Sequence, residues 1–195
     1  MCSILGIFDL QDDAARLRPL ALSLSRRQRH RGPDASGIVA GPRMVLVHER
    51  LAVIDPASGA QPLTSPDGRL VLAVNGEIYN HRELAAGLAH PYAFRTGSDC
   101  EVILPLYQER GPAFVAALNG IFAFALWDGE RDTWLLARDP LGVCPLYTGR
   151  DEHGHLFVAS EMKALVGVCR AVEELPPGSW LDGTVGAPVR YYRPA

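Results

Sequence analysis

The sequence predicts an α+β fold in which mainly antiparallel sheets stack on one another with helices flanking them. Three features point there. Residues 69–74 and 121–127 are apolar at nearly every position, as strands covered on both faces must be. Turn chemistry at Asp128-Gly129-Glu130-Arg131-Asp132 joins the second of these to a further strand at 134–137, a hairpin signal. Only a few helical stretches are interspersed among the strands.

In chain order, residues 4–8 read as a short buried strand that begins almost at the N-terminus. Leu17, Leu20, Ala21 and Leu24 follow at the i, i+3, i+4, i+7 spacing of a helix face, with Pro19 suited to the first turn. The basic run from Arg26 to Arg31 reads as a solvated helix end, since cations there oppose the helix dipole favourably. Arg31-Gly32-Pro33-Asp34 is a turn, and strands are expected at 36–40 and 44–47. A Pro/Gly/Ser-rich loop spans 55–68. Asn80 with Glu83, and Ser98 with Glu101, look like capping pairs that open short helices, the second running through about Glu109 with a kink at Pro105. Residues 156–160 and 180–181 complete the strands, and 161–165 form a helical turn or two.

Composition narrows the function. The chain suits one domain with a substantial core: 48% of its 195 residues are hydrophobic. A net charge of −3 gives no electrostatic reason to expect nucleic acid or an anionic membrane as partner. Cys2, Cys100, Cys144 and Cys169 contain no C-x-x-C pair, which argues against a zinc or thioredoxin-like site and reads as reduced thiols. No segment reads as a signal peptide or a membrane span, so a cytoplasmic location is expected.

The candidate chemistry begins at Cys2. Were Met1 removed, Cys2 would carry a thiol and a free α-amino group, and the latter titrates at about 7.7–8.0, where a general base works best. Nucleophile and base would then sit on one residue. Taken alone, the position reads better as a small residue after a start codon. Arg50 ends a strand, Asn75 and Gly76 end another, and Asp99 lies in the first turn of a helix, placements from which rigid elements can aim polar groups at a ligand. Asn75-Gly76 could supply the two donors of an oxyanion hole, but Asn-Gly is also the strongest hairpin-turn signal, and spacing alone favours the turn. Arg138-Asp139 reads as a buried ion pair, Glu161-Met162-Lys163 as a salt-bridged turn, and His153 and His155 as turn residues rather than metal ligands.

Eight strings occur in order: Met1-Cys2-Ser3-Ile4-Leu5-Gly6-Ile7-Phe8, Arg31-Gly32-Pro33-Asp34, His48-Glu49-Arg50-Leu51, Asn75-Gly76-Glu77-Ile78-Tyr79-Asn80, Thr96-Gly97-Ser98-Asp99-Cys100-Glu101, Leu118-Asn119-Gly120-Ile121-Phe122-Ala123-Phe124, Ala137-Arg138-Asp139-Pro140-Leu141-Gly142 and Ala159-Ser160-Glu161-Met162-Lys163-Ala164-Leu165. Together, over essentially the whole chain, they closely resemble the glutaminase domain of glutamine-hydrolysing asparagine synthetases, class II glutamine amidotransferases. The resemblance implies an N-terminal-nucleophile hydrolase fold, a four-layer αββα sandwich of two antiparallel sheets. It implies Cys2 as the nucleophile toward the glutamine side-chain amide, and Asn75 with the Gly76 N–H as oxyanion donors. Arg50 is implied to pair with the substrate carboxylate and Asp99, helped by Glu77, with its ammonium, while Leu51, Val53 and Ile54 line the pocket. The family continues into an ATP-using synthetase domain, whereas residues 1–195 correspond to the glutaminase domain alone and contain no Ser-Gly-Gly-type pyrophosphate loop. No cofactor or metal is therefore expected in this chain; ATP and magnesium belong to the synthetase domain. The implied partners are L-glutamine and an asparagine-synthetase-type domain or protein that receives the ammonia, and a homodimer is left open. Ala35 and Cys144 depart from the residue types usual at their positions, and neither has an implied catalytic role. Two further readings stand beside this one: a glutaminase that serves another ammonia acceptor, and a glutamine-binding or interface module without turnover if Met1 is retained.

Overall fold

The computed structural model describes residues 1–11, 14–53, 55 and 57–193. Two six-stranded sheets, antiparallel throughout, lie face to face. The first has the order β10-β8-β9-β1-β3-β2, built from β1 (Ser3–Phe8), β2 (Ala35–Ala40), β3 (Val45–Arg50), β8 (Tyr147–Arg150), β9 (Leu156–Ala159) and β10 (Val172–Glu174). The second has the order β12-β11-β7-β6-β5-β4, from β4 (Leu63–Thr64), β5 (Leu70–Ile78), β6 (Gly120–Asp128), β7 (Thr133–Arg138), β11 (Ser179–Asp182) and β12 (Val189–Arg190). Helix α1 (Ala14–Arg26) covers the outer face of the first sheet. Helix α3 (Ile103–Arg110) and the 3₁₀ segment Gly111–Ala117 cover the second, and the short α2 (His81–Ala86) follows β5.

Strand alternation explains these layers. Side chains on successive residues point to opposite faces, so each strand splits into two sets. Ile4 and Phe8, Met44 and Leu46, Val71 and Ala73, and Ala123, Ala125 and Trp127 fill the space between the sheets, where the Phe8 and Trp127 rings stack with centroids 6.2 Å apart. Leu5, Ile7, Val45 and Val47 pack outward on α1, with its Ala14, Ala21 and Leu24. Leu72, Val74, Phe122, Phe124 and Leu126 pack outward on Ile103, Leu106 and Phe114. Both faces of each central strand are therefore apolar, as the unbroken hydrophobic runs required.

Several local readings change. Pro19 lies in the body of α1, because burial of Ala14 with the α1 cluster starts the helix earlier than its Leu spacing suggested. Pro105 is the third residue of α3, after a 3₁₀ turn at Asp99–Val102, so its missing N–H falls where an α-helix has no internal acceptor for it and no mid-helix kink is needed. Ser98 caps that turn, its hydroxyl accepting from the Cys100 N–H at 3.3 Å. Asn80 does not cap α2 with its side chain; its amide donates to the Ala117 carbonyl at 3.0 Å and accepts from the Asn119 N–H at 2.9 Å. Asn75-Gly76 is not a hairpin turn: β5 stays paired with β6 to the Ile78–Gly120 register. Arg138 forms its ion pair with Glu174, at 2.6 Å, while the Asp139 carboxylate accepts from the N–H groups of Leu141, Val143 and Cys144. Strands β4, β8, β10 and β12 were absent from the sequence reading; three of them have two or three residues, too few for a period-2 pattern.

Candidate active site

One end of the inter-sheet space is not filled by apolar side chains. The alternation that sends Ile4 and Phe8 inward also sends Cys2 inward; after Met44 and Leu46 come His48 and Arg50, and after Val71 and Ala73 comes Asn75. Cys2, Arg50, Leu51, Val53, Asn75, Gly76, Glu77 and Asp99 thereby line one cleft of about 130 Å³. That volume exceeds what a single water needs and lies below the roughly 300–1,000 Å³ of pockets for drug-sized ligands. All the expected site residues that the structure describes are thus brought together; Ile54 lies outside the described residues.

Cys2 extends from the start of β1. Its Sγ accepts from the Leu51 N–H at 3.3 Å, and Arg31 Nε donates to its backbone carbonyl at 3.0 Å. The basic run is therefore more than a solvated helix end. Arg31 also binds Glu161 at 3.2 Å, and Glu161 takes part in a cluster with His30 and Lys163. Asp34 of the same turn accepts from the Ala52 N–H at 2.8 Å and so holds the segment that carries Leu51. Gly32 permits this packing, since a Cβ there would stand 2.1 Å from the Glu49 carbonyl oxygen.

Asn75 is fully buried, and its Oδ1 and Nδ2 both lack a partner among the described residues. Gly76 has φ +146°, and a Cβ would come within 2.0 Å of the Ile121 carbonyl oxygen, so only glycine fits. The even-numbered peptides of β5 face away from β6, as the Gly76 carbonyl accepting from Cys100 Sγ at 3.7 Å and the Ile78 N–H donating to Asp99 at 2.6 Å both indicate. By the same alternation the Gly76 N–H faces that edge, and both Asn75 and Gly76 line the cleft.

Charges of both signs flank these donors. Arg50 is buried and donates to the Asp55 carbonyl at 2.6 Å, tying that residue to the end of β3. Asp55 reaches across to the Gly97 N–H at 2.8 Å, and the Ser58 hydroxyl together with that N–H holds its carboxyl below the usual range. Asp99 is buried on the far side. Of the two cysteines in the cleft, burial pushes the Cys100 thiol well above its ordinary pKa, with Asp99 adding to the effect, so Cys100 stays protonated. Cys2 is the half-buried thiol of the pair, with an N–H aimed at its sulfur.

Sequence reasoning missed Gln61, which lines the cleft from the 55–68 loop and hydrogen-bonds both the N–H and the carbonyl of Val74. It gave His48 no separate role either. His48 Nε2–H donates to the Val74 carbonyl at 2.9 Å, and desolvation holds the ring pKa down at about 4, so it is neutral. The parity of His48 with Met44 and Leu46 was the available signal; Gln61, before a proline in an irregular loop, offered none.

Residues 1–182 match the family model described as a glutamine amidotransferase domain. Asparagine synthetase B [glutamine-hydrolyzing] of Escherichia coli strain K12 is 58% identical over 192 residues, covering 98% of this chain and 35% of the relative. A probable asparagine synthetase [glutamine-hydrolyzing] of Schizosaccharomyces pombe is 47% identical over 197 residues, covering 100% and 35%. The chain thus spans about a third of the length of the curated relatives it matches. Among solved structures, the allosteric regulatory enzyme of purine biosynthesis superposes with TM-score 0.77 at 24% identity, over 98% of this chain and 49% of that one. The glutamine phosphoribosylpyrophosphate amidotransferase from B. subtilis does so with 0.76 at 22%, over the same shares. The two-sheet αββα sandwich of this chain is the fold of those proteins.

Proposed function

This chain belongs to the glutamine amidotransferase family, and on that footing we propose that it hydrolyses L-glutamine to glutamate and ammonia through a γ-glutamyl thioester on Cys2. The observation that carries the reading is Asn75: a buried amide with both polar atoms unpaired among the described residues, in the cleft that also holds Cys2, the Arg50 guanidinium and the carboxylates of Glu77 and Asp99. A native protein keeps such an amide at a cost of about 1–3 kcal/mol. A ligand that develops negative oxygen there repays it.

Arg50 receives the substrate α-carboxylate, for which a guanidinium fork is the suited partner, and Asp99 with Glu77 the α-ammonium. Leu51 and Val53 border the side chain. Once Met1 is removed, the Cys2 α-amino group takes the thiol proton. Sγ attacks the amide carbon, and the oxyanion is held by the Asn75 Nδ2–H and the Gly76 N–H. The α-ammonium returns its proton to the departing nitrogen, ammonia leaves, and water attacks the thioester by the same route. The ammonia serves asparagine synthesis in an ATP-using domain or protein; ATP and magnesium act there and not in this cleft. A cytoplasmic location fits this chemistry, and no helix among the described residues is long and apolar enough to cross a membrane.

Cys2→Ala is expected to abolish glutaminase turnover while glutamine still binds; a fully active variant would refute the assignment. One observation favours a second reading. Met1 itself lines the cleft, and while it remains, the Cys2 nitrogen is a peptide N–H and no base. Intact mass decides between them: loss of one methionine supports the enzyme, and complete retention supports a glutamine-binding module.

A further inference from the structure

Cys2 stands on the first sheet and Asn75 and Gly76 on the second, so their reach depends on what fixes the two sheets against each other at this end. The edge of β5 is covered step by step. Leu72 lies opposite Leu63 of β4, and Ile78 is bound by Asp99. Continuing the β4–β5 register by two residues sets Gln61 opposite Val74, but the main chain of Gln61 has turned away. Its carbonyl oxygen packs on β2, where a Cβ at Gly37 would stand only 1.9 Å from it. The side-chain amide makes the ladder bonds instead: Gln61 Oε1 accepts from the Val74 N–H at 2.7 Å and Nε2 donates to the Val74 carbonyl at 3.2 Å. His48, from β3, donates to the same carbonyl at 2.9 Å. Gln61 is thus seated by its backbone on the sheet of the nucleophile and clamps by its side chain the residue that precedes Asn75.

We propose that Gln61 is a positioning residue for glutamine hydrolysis, holding Val74 so that the Asn75 amide and the Gly76 N–H meet the oxyanion formed at Cys2, a role that rests on the oxyanion reading above. It acts through Val74 and not on the substrate. The geometric demand is severe, since a misplacement of about 1 Å at a reacting centre can cost roughly 10²-fold in rate.

The test is a double-mutant cycle read in steady-state glutaminase kinetics. Gln61→Met preserves length and volume and removes both hydrogen bonds. It is expected to lower kcat by roughly 10- to 100-fold with KM changed by less than about twofold, the pattern of an interaction realised in the transition state. In an Asn75→Ala background it is expected to cause a smaller loss than in the parent chain, because only the Gly76 N–H is then left for it to position. If the Met variant does not fold, Gln61→Glu, which keeps the acceptor for the Val74 N–H and loses the donor, is read in the same way and should show a smaller loss. An unchanged kcat, a raised KM at constant kcat, or a fully additive loss with Asn75→Ala overturns the positioning role. If Asn75→Ala alone leaves kcat unchanged, the oxyanion reading falls, and this proposal with it.

Discussion

At Asn75, stability and activity are opposed. Burying an amide without partners destabilises the fold, so removing it should relieve the protein and harm only the reaction. Asn75→Ala is expected to lower kcat by roughly 10²–10³, the usual effect of losing one oxyanion donor, without lowering the melting temperature. Thermal unfolding measured beside turnover separates the two. A variant that loses activity and stability together would make Asn75 a structural residue. Cys100 shows the converse arrangement in the same cleft: its thiol is close to the donors but protonated by burial, so Cys100→Ser should leave more activity than Cys2→Ser.

At the scale of one element, β5 brings Asn75, Gly76 and Glu77 to the cleft side by side. Gly76 is the position with no tolerance. Its φ of +146° and the Ile121 carbonyl 2.0 Å from a hypothetical Cβ combine backbone strain with a main-chain clash. Gly76→Ala is therefore expected to cost more than about 3 kcal/mol, read as a fall in the urea midpoint or loss of soluble protein. An alanine variant of wild-type stability would mean that β5 can part from β6. The local sequence could not reveal this. Asn75-Gly76 carries the signature of a two-residue hairpin turn, and only pairing with β6, some fifty residues later, overrides it. Residue parity, by contrast, was legible: Cys2, Arg50 and Asn75 each fall in step with apolar residues of their own strand that face the space between the sheets. The two-residue strands were not, since β4 and β12 exist only because a neighbouring strand offers its edge. Gln61 was hidden for the same reason, its amide standing in for a strand.

For the molecule as a whole, the decisive feature is a pair of sheets held at a fixed height by polar side chains at the open end and apolar ones elsewhere. His48 is one of the buried members of that polar set, fully inaccessible and facing Val74, with Arg50 two residues along β3. Desolvation, outweighing the raising effect of the Val74 hydrogen bond and helped by the Arg50 charge, lowers its pKa from 6.5 to about 4. The unfolded chain regains an imidazole of about 6.5 and binds a proton that the folded state refuses. The stability this neutral histidine permits is complete above about pH 6.5 and is lost as pH falls toward 4, a difference of roughly 3 kcal/mol at most. Carboxylates held below their ordinary range also weaken the fold in acid, so the test is differential. In His48→Gln, whose amide can still donate to the Val74 carbonyl, this component is absent. The urea midpoint of the parent chain should therefore fall more steeply between pH 7 and 4.5 than that of the variant. Parallel curves would show that His48 takes up its proton without loosening the sheets.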